Sequence, residues 1–539
     1  MMCVQAGADE NSPAYGLFPA DDFRIASGEC ADCDTIAQAL WFFRKEIIAV
    51  PRPGLPLAGF DPQLRAKEDV RRWNALTPPG SARDYPGLVW VGSPQVIEHA
   101  WLDAGAGHVH TAAGVSRFSL TPRLASNRSF YNADSTDFLS QRELRLRGTW
   151  DYSQEPARFV TRAIWPEDFR IDPVATLKPI AATPAAIRDF VRGEPHGGAQ
   201  SPFATQLVWQ RDPSAAQQRA GRPLIGIMLN GAQGDDDEAH GGHFGLVTGR
   251  VGAQGQMHDW LIANFYTLDS ESEKGIIAAM LPLDSYLADL NSGQAWYRPS
   301  YMLVATLRDE RTAAHLGSAL ARVFNQFYRH QFVYQHAAAN CTGISISTLR
   351  TIGWDVPALG SIGWGKAIAG LPLVTLQTGS LSKGKAIFDY FTEDQTRLFP
   401  ATAFEQASAD LLQIVSGKAT RTLTPYEEML RQDVEEIILL RIPQLPSSRA
   451  WGDYPVAAID EYRNRLPHDP AEHRIVPVGP RPFPPDLKDP AAPDLKPLRS
   501  DFAVAAYAVG LLLLGGGLLR WLLRRRRGKH RSDAVPGNE

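Results

Sequence analysis

Between residues 221 and 357 the chain is a closely spaced series of apolar runs whose order leaves few ways to fold. Residues 224–229 form one unbroken apolar run of strand length, the pattern of a strand buried on both faces. Residues 243–251 and 256–266 follow as two strands of similar length, expected to meet in a tight hairpin at Gly252-Ala253-Gln254-Gly255. A short helix is expected over 282–293 and a further strand over 301–307. Leu316, Leu320, Val323, Phe324 and Phe327 then recur at helical spacing, which predicts an amphipathic helix. A strand-like run, 332–336, precedes a second helical pattern that opens at Cys341 and is closed by Gly353 and Pro357.

The chemistry in this block sits at two element starts. Cys341, in Asn340-Cys341-Thr342, begins a helix, and His243 begins a glycine-flanked strand about a hundred residues upstream. A thiol at a helix N-terminus is held partly as thiolate, because unpaired N–H groups and the helix dipole favour negative charge there. A histidine brought beside it by the sheet completes a nucleophile and its base. The competing reading is a small buried core residue, common for a free cysteine.

The order of strand, His strand, partner strand, strand, helix, strand and Cys helix resembles the circularly permuted papain-like fold. The permuted NlpC-type hydrolases and the lecithin:retinol acyltransferase family share that order. So does the periplasmic N-terminal domain of Lnb-type lipoprotein N-acyltransferases. The residues that carry the resemblance are His243-Phe244-Gly245-Leu246-Val247 and Asn340-Cys341, within 222–356. The resemblance implies Cys341 as nucleophile, His243 as general base, and the Cys341 N–H as part of an oxyanion hole. It also implies a polar residue on the strand paired with the histidine. A loop at Ala253-Gln254 places Asn264 opposite His243, whereas a turn at Arg250-Val251 places His258 there; the two share strand parity and both stay open. Arg298 is a candidate for binding an anionic part of a substrate.

The rest of the chain sets the context. Residues 9–220 are expected to be β-rich or irregular, with a short helix near 185–191, and 358–465 to run from loop into helix. Thr424-Pro425-Tyr426-Glu427 is a capping box with proline at its first helical position. Leu430, Val434, Ile437 and Ile438 are expected to continue that helix on one face. Residues 466–500 hold ten of the forty prolines and form a semi-rigid linker. Residues 501–523 have the length and apolarity of a transmembrane helix, and Arg524-Arg525-Arg526-Arg527 opens a basic tail, 524–539, expected in the cytoplasm. The body would then lie outside the cytoplasm, in the periplasm. Such an orientation needs an export signal, and Ala6-Gly7-Ala8 resembles the end of one, so Met1 is expected to lie inside a longer reading frame; the alternative is a tail-anchored protein with a cytoplasmic body.

The expected fold class is therefore α+β: a permuted papain-like domain over 221–357, a β-rich N-terminal region, a helical C-terminal region and one C-terminal transmembrane helix. The expected partners are the lipid bilayer and a cell-wall peptide or a lipoprotein or lipid acyl substrate. Nucleic acid is excluded, because the net charge of −4 becomes −9 once the residues beyond Leu519 are set aside. No cofactor is expected. Cys30 and Cys33 have C-x-x-C spacing without a second pair to complete a zinc site. His240 and His243 beside Asp235-Asp236-Asp237-Glu238 raise a metal-dependent hydrolase as one alternative, although the acidic run lacks the alternating ligands of a calcium loop. A catalytically silent envelope protein that uses the same fold for binding is the other. The expected activity is acyl transfer or amide or ester hydrolysis through a Cys341 thioester.

Overall fold

A computed structural model describes residues 63–82, 89–93, 95–103, 107–123, 131–193, 201–214, 217–232, 241–267, 276, 278–328, 331–337, 339–447 and 456–472, together with four short strands at 15–19, 47–51, 270–271 and 481–482. Strands β1 (Tyr15–Pro19) and β2 (Ile47–Pro51) precede helix α1 (Ala66–Leu76) and strand β3 (Val89–Gly92). Strands β4 (Gln95–Asp103), β5 (His108–Thr111) and β6 (Gly114–Leu120) lead through α2 (Ala133–Ser140) to β7 (Leu144–Asp151) and β8 (Arg158–Pro166). Then come β9 (Lys178–Pro179), α3 (Pro184–Arg192) and β10 (Ala204–Gln210). The central block comprises β11 (Pro223–Asn230), β12 (His243–Arg250), β13 (Leu261–Asn264), β14 (Ser270–Glu271), β15 (Ala279–Pro282), α4 (Leu283–Ala288) and β16 (Ser300–Leu307). It continues with α5 (Arg311–Tyr328) and α6 (Cys341–Ile352). The remainder is α7 (Trp364–Thr378), α8 (Leu381–Thr392), α9 (Gln395–Leu398), α10 (Pro400–Val415), α11 (Pro425–Asp433), β17 (Val434–Ile442), α12 (Ile459–Arg465) and β18 (Arg481–Pro482).

The fully apolar runs form the centre of a mixed sheet. β11 and β16 are buried at every position and pair antiparallel, Asn230 against Ser300. Around them the sheet reaches eleven strands in the order β1-β2-β3-β15-β13-β12-β11-β16-β17-β10-β9. Two of its pairings, β3 with β15 and β9 with β10, are parallel. The β4–β8 strands close separately into a five-stranded barrel in the order β4-β5-β6-β8-β7. Helices α6 and α10 pack on β12, and α5 and α10 on β11. Phe265, just beyond β13, stacks on Phe324 of α5 with ring centres 4.1 Å apart, which pins that helix to the sheet.

The expected fold class needs three corrections. First, no helix among the described residues is long and apolar enough to cross a membrane, and the segment 501–523 given that role lies outside the described residues. Second, residues 221–357 do not form a self-contained domain. Their sheet extends through β15 into β3, β2 and β1, and through β16 into β17 and β10. Third, the helical C-terminal region contains a central strand. The Thr424 capping box forms as the sequence indicates, with Glu427 N–H donating to Thr424 Oγ1 at 3.2 Å and Thr424 N–H to Glu427 Oε2 at 3.0 Å. Its helix stops at Asp433, and residues 434–442 turn into β17 between β16 and β10. The run Ile437-Ile438-Leu439-Leu440 is apolar on both faces and β-branched at its start, so burial between two strands outweighs the helical spacing. The entry to β17 is fixed by Asp433, which accepts from Arg311 Nε and Thr312 Oγ1, each at 2.7 Å.

Among the described residues, 363–392, the α7–α8 helical hairpin, belong to a second compact unit. Cys3, Cys30, Cys33, the Asp235–Glu238 run and His240 lie outside the described residues, as do the greater part of the proline-rich linker and the basic tail.

His315 on α5 gives this core a pH signature. It is buried, bonds Asn74 Oδ1 through Nε2 at 2.7 Å, and lies between the rings of Trp73 and Tyr426 at 4.7 and 5.4 Å. Burial lowers its pKa from 6.5 to about 4. The folded state therefore resists a proton that the unfolded chain accepts. This contribution is complete above pH 6.5 and is lost as the pH falls towards about 4. His315→Gln keeps a donor for Asn74 and removes the titration. Chemical denaturation at pH 7 and pH 4 is expected to show a smaller acid loss of stability in the variant, by up to about 3 kcal/mol. Equal losses in both proteins would contradict the assignment.

Candidate active site

The N-terminus of α6 is built to hold Cys341 in one place. Asn340 is its N-cap, and its Oδ1 accepts from Gly343 N–H at 2.7 Å. The Asn340 Nδ2 donates to the carbonyl oxygens of His336 and Leu398 at 3.0 and 3.1 Å, which ties the helix start to the preceding turn and to α9. At the other end, Gly353 adopts φ 97° and Trp354 N–H donates to Leu349 O at 2.9 Å, an αL cap that only glycine adopts without strain.

His243 is fixed at the first position of β12 by the glycine before it. Gly242 has φ 77°, and a Cβ there would lie 2.7 Å from Asn230 O. The strand it opens packs beneath α6, so the two element starts meet. The Cys341 side chain is 4% exposed. Burial alone would raise its pKa, but the charge of His243 opposes it, followed by hydrogen bonds from the His243 ring, from Phe244 N–H and from Thr342 Oγ1, which lies 3.8 Å from the sulfur. The balance lowers the thiol from 9.0 to about 6, so that roughly nine-tenths of it is thiolate at neutral pH. His243 Nε2 is buried without a hydrogen bond of regular geometry, so charge attraction carries more of the effect than the bond does.

The orienting residue differs from both expectations. β12 and β13 are joined by residues 251–260, not by a two-residue loop. Leu246 pairs with Ala263, and continuing that register places Asn264 opposite Gly245, not His243. Asn264 still faces the same side as His243, one diagonal step along the sheet. His258 precedes β13 at the far end of β12. Its Nε2 lies 3.1 Å from Asp259 Oδ2, beside a cluster in which Asp284 joins Arg145 and Arg147 of the barrel. Eight residues of strand put that end roughly 23 Å from His243. Only the loop register separated these candidates, and the turn at 252–255 is followed by irregular chain that shifts it.

The residue directly opposite His243 is Asn230, on the other neighbour, β11. Asn230 Nδ2 donates to Ser300 Oγ at 2.7 Å and its Oδ1 accepts from the Tyr286 hydroxyl, so His243, Asn230 and Ser300 form a polar row across three strands. The Tyr286 ring lies 6.2 Å from that of His243, and burial raises its pKa well above 10, with the Cys341 charge adding and Arg298 opposing. A detectable signal existed in the sequence. Asn230-Gly231 ends an apolar strand just before Gly242-His243 begins the next, so the two polar ends must face each other if the strands pair antiparallel.

Tyr334 was also missed, because the expected strand over 332–336 is an irregular segment with only a Gln335–Ala339 bridge. Its hydroxyl is raised well above 10 by burial and by the negative charge of Cys341; it accepts from the Cys341 N–H and bonds the sulfur. The oxyanion donor expected at Cys341 is therefore engaged by Tyr334. Tyr266 stands beside Tyr334, ring centres 5.6 Å apart. Arg298 is buried, with Nε donating to Gln294 Oε1 at 3.1 Å. Its charge acts on the Tyr286 hydroxyl beside His243. Among the described residues no group of three His, Cys, Asp or Glu side chains is placed to hold a metal ion.

No family model, curated protein or solved structure matches this chain. The site is accordingly defined by its own geometry: a buried thiol, lowered towards thiolate, at a helix N-terminus beside an imidazole at a strand start.

Two substitutions test that geometry. Alkylation of Cys341 by iodoacetamide, followed by peptide mass spectrometry, is expected to have a pH midpoint near 6. In His243→Ala the midpoint should rise towards about 8.5, the value of a free thiol. A wild-type midpoint already near that value would contradict the pair. Tyr334→Phe removes one hydrogen bond to the sulfur and should raise the midpoint by about one pH unit, less than His243→Ala does.

Proposed function

We propose that the protein is a thiol-dependent acyl enzyme, in which Cys341 attacks a carbonyl carbon and is acylated as a thioester. His243 takes up the charge partner's role in the resting state and delivers a proton to the leaving amine or alcohol. The Tyr334 hydroxyl, which bonds the sulfur and engages the Cys341 N–H, is the donor that would turn to the carbonyl oxygen as it gains charge, and that turn would release the Cys341 N–H for the same role. Water or an amine then takes the acyl group and regenerates the thiolate. The single observation that carries this reading is the meeting of buried Cys341, at the start of α6, with His243, at the start of β12, whose charge and hydrogen bond hold the thiol low despite its burial.

The resemblance to the permuted papain-like families agrees with this reading and supplies two classes of acyl donor, cell-wall peptide amides and lipid or lipoprotein acyl chains. An envelope location, with the body outside the cytoplasm, rests on the sequence of 502–527 alone. The silent binding protein and the metal-dependent hydrolase remain the alternatives. The former leaves the low thiol pKa without a use, and the latter depends on His240, outside the described residues.

Incubation with an activated acyl ester and intact-mass measurement separates the three. A one-acyl adduct is expected on Cys341, absent in Cys341→Ala, formed about a hundredfold more slowly in His243→Ala, and insensitive to chelators. No adduct with a reactive, correctly folded thiol would favour the silent protein. Turnover that survives Cys341→Ala and is abolished by chelators would favour metal. Peptide amides and phospholipids offered as competitors then show which donor suppresses the adduct.

A further inference from the structure

The α7–α8 hairpin carries more apolar surface than its own packing uses. Its helices meet closely through two glycines. A Cβ on Gly384 would fall 2.6 Å from Leu371 O, and one on Gly370 would fall 2.9 Å from Ile387 Cγ2. That contact consumes the side of α7 that carries Ala367 and Gly370. Trp364, at the edge of that contact, meets Phe388 of α8 edge-on with ring centres 5.9 Å apart and is still 60% exposed; on the remaining side Ile368 is 51% exposed, Leu373 55% and Leu376 83%. At about 100° per residue these four, with exposed Pro372 between them, span about half the helix circumference. A soluble helix pair normally turns polar residues outward there.

The charges on the hairpin are also one-sided. Lys366, Lys383, Lys385 and Asp389 are the only charged residues between Gly363 and Thr392, and Asp389 pairs with Lys385. Three lysines against one aspartate leave the hairpin net positive, so two copies meeting through it would repel. A broad apolar arc with a tryptophan at its start and lysines at its rim matches an anionic lipid surface, where apolar side chains enter the acyl boundary and ammonium groups meet phosphate. We infer that the exposed face of α7 lies on an anionic phospholipid membrane. This inference is independent of the thiol chemistry.

Hydrogen–deuterium exchange on the full chain tests it locally, whatever brings the rest of the chain to the vesicle. Exchange in α7 peptides is measured alone, with phosphatidylcholine vesicles, and with vesicles that also contain phosphatidylglycerol. The expected result is slowing of α7 by about threefold or more with the anionic vesicles and less with the neutral ones. The combined variant Lys366→Gln, Lys383→Gln and Lys385→Gln should lose that difference, and Ile368→Ser with Leu376→Ser should lose the slowing itself. These side chains are exposed or lie at the hairpin rim, so the fold is expected to survive, as unchanged exchange in the central sheet would verify. Exchange in α7 that is unaffected by either vesicle would overturn the inference. So would α7 that is equally slow without vesicles, because the face would then be covered by protein.

Discussion

The electrostatic contact between Cys341 and His243 depends on two chain segments ending at the same point. α6 begins where its asparagine cap can turn no further, and β12 begins where Gly242 releases the chain from a left-handed turn. Burial by itself would keep the thiol protonated, and it is the largest single influence on Cys341. The histidine charge, the Phe244 N–H and the helix start together outweigh it. The rest of the central sheet maintains this balance. β11 supplies Asn230 opposite the histidine, β16 supplies Ser300 behind Asn230, and β17 closes the far side of β16.

This arrangement explains why so many polar groups lie deep in an otherwise apolar sheet. Ser300, Asn230 and Tyr286 satisfy one another in sequence, so none of them is left without a partner beside the imidazole. The tyrosines have a second effect. Tyr286 and Tyr334 both stay neutral far above physiological pH, so neither adds negative charge beside the sulfur: the Tyr334 hydroxyl bonds the sulfur, and the Tyr286 hydroxyl donates to Asn230. The thiol, lowered towards its anion, is thus surrounded by groups that stay neutral, an environment in keeping with the nucleophile proposed for it.

Cys341 and His243 were legible in the sequence because each is marked by local chain geometry. Asn-Cys at a helix start and Gly-Gly-His at a strand start are short-range signals, and both elements form where the residues indicate. The supporting residues depend on register and long-range pairing, which local pattern does not encode. Asn264 shifted by two positions because the loop after β12 spans 251–260. Asn230 required knowing that β11, not β13, presents the opposing residue. Tyr334 reaches the sulfur from irregular chain with no period to read. β17 shows the same limit in the fold: its residues have helical spacing, and only the partners on either side make them a strand.

The most direct test of the thiolate–imidazole pair is a titration of the thiolate's ultraviolet absorbance in the full chain, with Cys341→Ala subtracted to isolate that one sulfur. The pair predicts an absorbance present at pH 7 that disappears with a midpoint near 6, and a midpoint displaced upward in His243→Ala. A Cys341 signal that appears only above about pH 8 in the wild-type protein would show an ordinary buried thiol and contradict the account.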